Sequence, residues 1–338
     1  MEAIIYNSTD TKERSVNALA SIVIPVFSEE SHIVNSIHVI DNLLKANHIK
    51  HNFIIVDDGS RDNTWKLLET MAYENHSITA IRLSRNFGKE AAICAGLLYA
   101  GGDYTVVMDS DLQHPPELIP LMVKLWREEG YDVVEGIKNT RGKEKTLYRI
   151  GARLFYQFIY LTSTIDLSNS SDFKLLDKKV ILAWKQMPER TTFFRGMSAW
   201  VGFSRKQIGF DVKARVNGKS KWSFLRLAKL AVNAITSYTT VPLHFITLLG
   251  FVLFILFFII GIHTIYMKIT GQALDGFTTI ILLQLIIGSS VMLSLGIIGI
   301  YITKIYQEVK ARPRYLVSKC IKDGKELPFC GENFYENM

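Results

Sequence analysis

Charge is missing from two long stretches of this sequence: Phe245 to Ile262 and Phe277 to Tyr301 contain no Asp, Glu, Lys or Arg. A soluble helix seldom stays uncharged on every face for so long, and each run approaches or exceeds the roughly 18 to 20 residues that cross the hydrocarbon of a bilayer. Cysteine is scarce: Cys94, Cys320 and Cys330 form no disulfide framework, and reduced thiols are expected. The eight histidines are scattered, with no Ser/His or Cys/His arrangement of the kind nucleophilic catalysis needs. No Gly-x-Gly-x-x-Gly follows a first strand, which excludes the dinucleotide-binding fold. Gly218-Lys219-Ser220 has the ending of a phosphate-binding Walker loop, but Lys213 stands where its first glycine belongs. Repeats and low-complexity tracts are absent. Met1 to Leu19 is polar and charged rather than a secretory leader, so residues 1–20 are expected to be a flexible lead-in.

What is present divides into a basic, domain-sized part and an apolar appendage. The formal charge is +7 and the pI about 9.1. Lys219, Lys221, Arg226 and Lys229 precede the first uncharged run, and Lys304, Lys310, Arg312, Arg314 and Lys319 follow the second. Two membrane-spanning helices within residues 242–306, with both chain ends in the cytoplasm, follow from the positive-inside rule, and residues 307–338 are expected to form a cytoplasmic tail. Polar residues recur at three and four between Ser223 and Thr240, predicting an amphipathic helix over 223–241 that lies on the membrane surface. Leu147 to Thr162 has a similar stripe. The charge excess is read as facing membrane phosphate, with no nucleic-acid partner.

From Ser21 onward short β-branched runs alternate with helical patterns. The runs are Ser21–Pro25, Phe53–Asp57, Ile78–Leu83 and Tyr104–Asp109. Such alternation predicts an α/β fold with a mostly parallel sheet covered on both faces, and ligands of such sheets gather at the carboxyl ends of the strands. Pro25, Asp57-Asp58-Gly59-Ser60 and Asp109-Ser110-Asp111 all fall at those ends. The carboxylate pair Asp109 and Asp111 stands before a proline pair, Pro115-Pro116. Residues at i and i+2 of an extended chain share a face, so the two are expected to hold one hard cation, Mg²⁺ or Mn²⁺, that keeps positions open for phosphate oxygens. Asp57 and Asp58 are candidate acceptors for nucleobase or ribose groups. A basic cluster (Lys138, Arg141, Lys143, Lys145, Arg149, Arg153, Arg190, Arg195, Arg215, Lys219, Lys221) faces either anionic headgroups in general or one lipid phosphate.

As a set, Ile24-Pro25-Val26-Phe27-Ser28-Glu29-Glu30, Val56-Asp57-Asp58-Gly59-Ser60, Ser84-Arg85-Asn86-Phe87-Gly88-Lys89-Glu90, Met108-Asp109-Ser110-Asp111-Leu112-Gln113-His114, Ser171-Asp172-Phe173-Lys174-Leu175-Leu176 and Arg215-Val216-Asn217-Gly218-Lys219-Ser220-Lys221-Trp222 resemble the polyisoprenyl-phosphate glycosyltransferases of glycosyltransferase family 2. The resemblance runs from about Ser21 to Lys319, and the two-helix end is most similar to the bactoprenol glucosyltransferase branch. It implies a GT-A catalytic domain over residues 21–222 and inverting transfer of a hexose from a nucleotide sugar to a polyisoprenyl phosphate such as undecaprenyl phosphate. UDP-glucose is the favoured donor, with UDP-N-acetylglucosamine, UDP-galactose or GDP-mannose as alternatives. Pro25, Phe27, Glu29, Asp57 and Asp58 would then bind the donor, with Lys89 nearby. Asp109 and Asp111 would hold metal and diphosphate, Gln113 would sit beside the sugar, and Lys138, Arg141, Arg215, Ser220 and Lys221 would meet the acceptor phosphate.

The same resemblance implies a multi-pass protein of the bacterial inner membrane with a cytoplasmic catalytic domain, a homo-oligomer such as a tetramer, and a separate flippase and periplasmic transferase downstream that use the lipid-linked sugar to modify a cell-surface glycan such as O-antigen. Ser28 stands where Asn is frequent, Lys138 and Lys174 where Arg is frequent, and Val212 where a further Arg is often found. A lysine brings charge without the bidentate fork of arginine, so the acceptor grip is expected to rest on Arg141 and Arg215. A processive polysaccharide synthase is disfavoured because none of the five tryptophans lies in a Gln-x-x-Arg-Trp motif. A non-catalytic scaffold is disfavoured by the intact aspartate pair.

Overall fold

A computed structural model describes residues 14–138, 171–187, 189, 194–210, 241–270 and 276–327. Nine strands among them form one sheet: β1 (Ala20–Val26), β2 (His51–Asp57), β3 (Ile78–Leu83), β4 (Tyr104–Val107), β5 (Val133–Lys138), β6 (Lys174–Asp177), β7 (Arg205–Phe210), β8 (Val317–Lys322) and β9 (Lys325–Glu326). Their order is β7-β5-β6-β4-β1-β2-β3-β8-β9. The central run β3-β2-β1-β4 is parallel, while β6 and β8 join it antiparallel on either side. The chain winds outward from β1 to β3 and then returns to place β4 on the other side of β1. That reversal opens a crevice at the carboxyl ends of β1 and β4.

Every residue of β1 is buried, as expected of a strand covered on both faces. Ile22, Ile24, Phe53, Ile55, Ala80 and Val106 pack with residues of helices α1 (Ile33–Ala46), α2 (Thr64–Glu74) and α4 (Ile119–Glu128). The alternate residues Val23, Ile54, Val56, Ile81 and Val107 pack with α3 (Lys89–Tyr99), α5 (Lys178–Lys185) and α6 (Phe194–Trp200). The period-two pattern in the strands thus feeds two apolar cores. Helix α3 sits close to the sheet because its inner face is small: a Cβ at Gly96 would lie 2.4 Å from Val23 Cγ1.

Two segments differ from the sequence expectation. The lead-in expected to be flexible to residue 20 is tied down from Arg14, whose guanidinium donates to the carbonyls of Trp126 and Tyr131 and pairs with Asp132 at 2.7 Å and Asp177 at 3.1 Å. The stretch read as a tail after residue 306 supplies β8 and β9. Strand β8 pairs antiparallel with β3 and buries Tyr315, Cys320 and Ile321. The sheet-bearing unit is therefore discontinuous in sequence, resuming at Arg312 after the helix pair.

The helix pair forms the second unit: α7 (Val241–Ile269) and α8 (Phe277–Val309). Both are long and apolar enough to cross a membrane, and neither apolar window is buried by protein. Phe251, Phe254, Phe258, Met292 and Leu295 are among their exposed apolar side chains. The expected amphipathic segment 147–162 lies outside the described residues, and so does 223–241 apart from its last residue, Val241, which opens α7.

Candidate active site

The end of β1 is laced to the turn after β2 by hydrogen bonds from its backbone. Ser28 N–H donates to Ser60 Oγ (2.9 Å) and Glu29 N–H to Thr64 Oγ1 (2.9 Å). Ser28 has φ +57°, a conformation that Asn and Gly adopt more readily, which gives a backbone reason for the frequent Asn. In the Asp57-Asp58-Gly59-Ser60 turn the two aspartates part company. Asp57 is fully buried, accepts from Ser60 N–H at 3.0 Å and lies 3.5 Å from Arg82 Nε. That is a correction to its expected place on the donor surface: its carboxylate shapes the turn. Asp58 accepts from Phe87 N–H (2.7 Å) and Gly88 N–H (2.8 Å), so it grips the Ser84–Gly88 loop. Burial pushes the Asp58 carboxyl above its ordinary pKa despite these two bonds. Gly59, at φ +72°, lets the turn press on the same loop, since a Cβ there would fall 2.5 Å from the Arg85 carbonyl carbon.

Asp109 and Asp111 follow the end of β4 at Val107, with Asp111 in a turn, rather than in the extended run expected. Asp111 is exposed, and its Oδ1 accepts from Gln113 N–H at 3.0 Å. Asp109 is 2.6 Å from Lys89 Nζ, which also pairs with Asp172 at 2.7 Å. Asp172 is held a second time by Arg195, through Nε at 2.7 Å and a second guanidinium nitrogen at 3.1 Å. Burial works against both charges here and is outweighed: Asp109 and Asp172 hold the Lys89 ammonium above its usual pKa, and Arg195 and Lys89 hold the Asp172 carboxyl well below the usual range. Glu29 completes the acidic rim. Burial raises its carboxyl against the pull of His32 and with the help of the Asp111 and Asp109 charges.

Asp172, Arg195 and Glu90 are the residues whose place here sequence reasoning missed. The register carries the signal for Asp172: Val107 pairs with Lys174 in the antiparallel β4/β6 ladder, so two positions further on Asp109 stands opposite Asp172. Glu90 accepts from Phe194 N–H at 2.7 Å, fixing the start of α6 next to Arg195. Burial pushes the Glu90 carboxyl up to about 6. Lys174 is fully buried against Glu135 at 3.2 Å, so it meets no ligand.

The donor set suits a hard divalent cation in part. Asp109 and Asp111 offer carboxylate oxygens at an accessible strand end, but no cluster of three or more His, Cys, Asp or Glu exists among the described residues. A cation held there would complete its shell with water and diphosphate oxygens. His114 Nδ1 accepts from Asp109 N–H at 3.2 Å, and its buried ring stacks on Phe173. It is a polar neighbour that orients Asp109. Pro25 is buried at the end of β1, Phe27 beyond it is 44% exposed, and Gln113 is half-buried beside Asp111. Lys138 closes β5, while Arg141, Arg215, Ser220 and Lys221 lie outside the described residues.

Residues 21–181 match the family described as Glycosyl transferase family 2. An uncharacterised glycosyltransferase of Synechocystis sp. is 39% identical over 300 residues, covering 88% of this chain and 94% of that one. The chain belongs to glycosyl transferase family 2. Its catalytic fold is GT-A, in agreement with the sheet order and with the resemblance. Another family member, a prophage-derived bactoprenol glucosyl transferase of Shigella flexneri, is 32% identical over 301 residues, covering 88% of this chain and 97% of that one. Among solved structures, glucosyl-3-phosphoglycerate synthase from Mycobacterium tuberculosis in complex with Mn²⁺, UDP and phosphoglyceric acid is 18% identical with a TM-score of 0.48, covering 66% of this chain and 78% of that one.

Proposed function

We propose that this family 2 transferase moves glucose from UDP-glucose to a polyisoprenyl phosphate, undecaprenyl phosphate in the first instance, at the cytoplasmic face of the bacterial inner membrane. The observation that carries the reading is the meeting of Asp109, Lys89, Asp172 and Arg195 at the carboxyl end of β4, in a chain with two bilayer-length apolar helices. The likeness to bactoprenol glucosyl transferases supports the acceptor and the sugar.

An acceptor phosphate oxygen attacks the anomeric carbon as the bond to the diphosphate breaks, with inversion, and UDP leaves. A phosphate monoester has its second pKa near 6, so the nucleophile is already ionised at neutral pH and needs no strong base. Asp172 fits that chemistry poorly as a proton acceptor, because Lys89 and Arg195 stabilise its charge. The barrier lies in bringing anions together: two unit charges 4 Å apart repel by about 4 kcal/mol at an effective dielectric near 20. A Mg²⁺ or Mn²⁺ held by Asp109 and Asp111 would supply positive charge on the leaving side. Lys89 and Arg195 add fixed positive charge at the same strand end, and Lys138, Arg141, Arg215, Ser220 and Lys221 are proposed for the acceptor phosphate. Pro25, Phe27, Glu29 and Asp58 are proposed to frame the donor.

Labelled nucleotide sugars offered to the protein in bilayers with undecaprenyl phosphate and Mg²⁺ test the reading. Lipid-linked glucose should form and should vanish with Asp111→Ala. Among the described residues the exposed Asp111 side chain bonds within its own turn, so that variant should still fold. Full transfer by Asp111→Ala would refute the metal site, and no transfer of any hexose by the wild-type chain would refute the function.

A further inference from the structure

The chain that follows the second long helix returns to the catalytic sheet beside the donor loop. Ser84 N–H donates to Leu316 O at 2.8 Å, and Ser318 Oγ donates to Arg82 O at 3.1 Å. The β3/β8 register slips by one residue between Arg82 and Leu83, and such a bulge bends a strand where pairing must end. Just before it, Tyr315 is buried in the core that holds Leu83, Ala91, Cys94 and Trp184. Arg314 donates to Met187 O and lies over the Trp184 ring at 5.6 Å. The far end of the Ser84–Gly88 loop is held by Asp58 at Phe87 and Gly88, and the next residue is Lys89. The loop is thus pinned at one end by the donor-site turn and at the other by the strap Arg314–Ser318.

We propose that this strap is a positioning element of the donor site, setting where the Ser84–Gly88 loop presents Lys89 and receives Asp58. Nothing in a GT-A sheet requires the segment after a membrane helix to supply that brace. A strap that merely covered the β3 edge would add stability without touching the loop in particular. Here its last carbonyl before β8 takes the first amide of the loop, and its buried tyrosine belongs to the same apolar core as Leu83, the residue that precedes the loop. The donor part of the inference rests on the reading under Proposed function, whereas the brace itself does not.

The test uses the full chain in lipid nanodiscs, comparing wild type with Tyr315→Ala and the milder Ser318→Ala, which removes a hydroxyl at an exposed position. Hydrogen exchange at Ser84, Phe87 and Gly88 is read together with UDP affinity in the presence of Mg²⁺ and with KM for donor and acceptor. In Tyr315→Ala, exchange at the three loop amides should quicken about tenfold, in line with the loss of one well-packed hydrogen bond, while amides of β4 and α4 keep their protection. UDP affinity should fall and donor KM rise by a similar factor with acceptor KM unchanged, and Ser318→Ala should move the loop amides in the same direction by less. If Tyr315→Ala does not fold, Ser318→Ala alone decides. Unchanged loop exchange, or equal loosening of the whole sheet, would overturn the brace. UDP failing to bind the wild-type protein would instead overturn the donor-site reading, with loop exchange still deciding the brace.

Discussion

Lys174→Met removes one half of an ion pair that lies directly behind the site. Neither Lys174 nor Glu135 has exposed side-chain surface, Nζ is 3.2 Å from Oε1, and Nζ also donates to Ser198 Oγ at 2.7 Å. Glu135 Oε1 accepts in addition from Ser171 N–H at 2.8 Å. The pair therefore holds the residues on both sides of the Asp172-Phe173 step. At that separation the attraction is about 5 kcal/mol at an effective dielectric near 20, most of it offset by desolvation. Burial pulls the Lys174 pKa down, with Glu135 opposing. Methionine fills similar volume but takes the ammonium away from the buried carboxylate, and breaking a buried pair in this way costs about 3 to 5 kcal/mol, a large part of the net stability of roughly 5 to 15 kcal/mol usual for a domain. Adding Glu135→Gln removes the carboxylate charge and keeps an acceptor for Ser171 N–H. The double variant should regain most of the loss, with a coupling of about 2 kcal/mol or more against an additive scatter near 0.5. Denaturation midpoints of the four proteins in one detergent measure it, and transfer rates should follow stability only in part, because Asp172 shifts in the single variants. Additive effects, or a Lys174→Met protein as stable as wild type, would refute the buried pair.

Glu90→Gln carries a pH signature. The folded carboxyl titrates near 6 against an ordinary 4.5, so the folded state holds this proton more tightly. Its stabilising contribution is complete below the ordinary pKa and is lost as pH rises through 6. Glutamine keeps the acceptor for Phe194 N–H without the charge, so the variant should gain up to about 2 kcal/mol over wild type by neutral pH and little at pH 4. A difference that does not change with pH would refute the burial. Arg215→Ala should raise KM for the lipid phosphate far more than for the nucleotide sugar, and an unchanged acceptor KM would exclude its proposed role.

The parallel strands were legible because β-branched runs and buried faces leave a periodic trace, and all four runs named from the sequence are strands. The aspartate pair was legible because it interrupts such a run. Other parts left no local trace. The antiparallel strands β6 and β8 come from distant parts of the chain, and their neighbours are set by pairing rather than by pattern. For that reason Asp172 and Arg195, far apart in sequence from Asp109 and Lys89, became visible as one cluster only through the register. Asp57 and Asp58 show the same limit at closer range. Adjacent carboxylates in one turn read alike, and only the folded chain shows that Asp57 is tied into its own turn while Asp58 holds the neighbouring Ser84–Gly88 loop.

Strand β8 also changes how the membrane helices can be tested. A chain ended at Thr240 loses both long helices, but it also loses Tyr315, Cys320 and Ile321 from the core. At about 1.5 to 3 kcal/mol for each large apolar side chain, with the β3 edge then unpaired, the loss approaches the whole stability of a marginal domain. Failure of such a chain to transfer sugar would report unfolding and leave the helices untested. A charge placed within the second uncharged run keeps β8 in place. Val291 is 49% exposed near the middle of that run, and a lysine at the centre of a membrane helix opposes insertion by roughly 3 kcal/mol. Val291→Lys should therefore reduce membrane insertion and transfer to the lipid acceptor while UDP still binds. Unimpaired insertion and transfer would show that α8 does not lie in hydrocarbon.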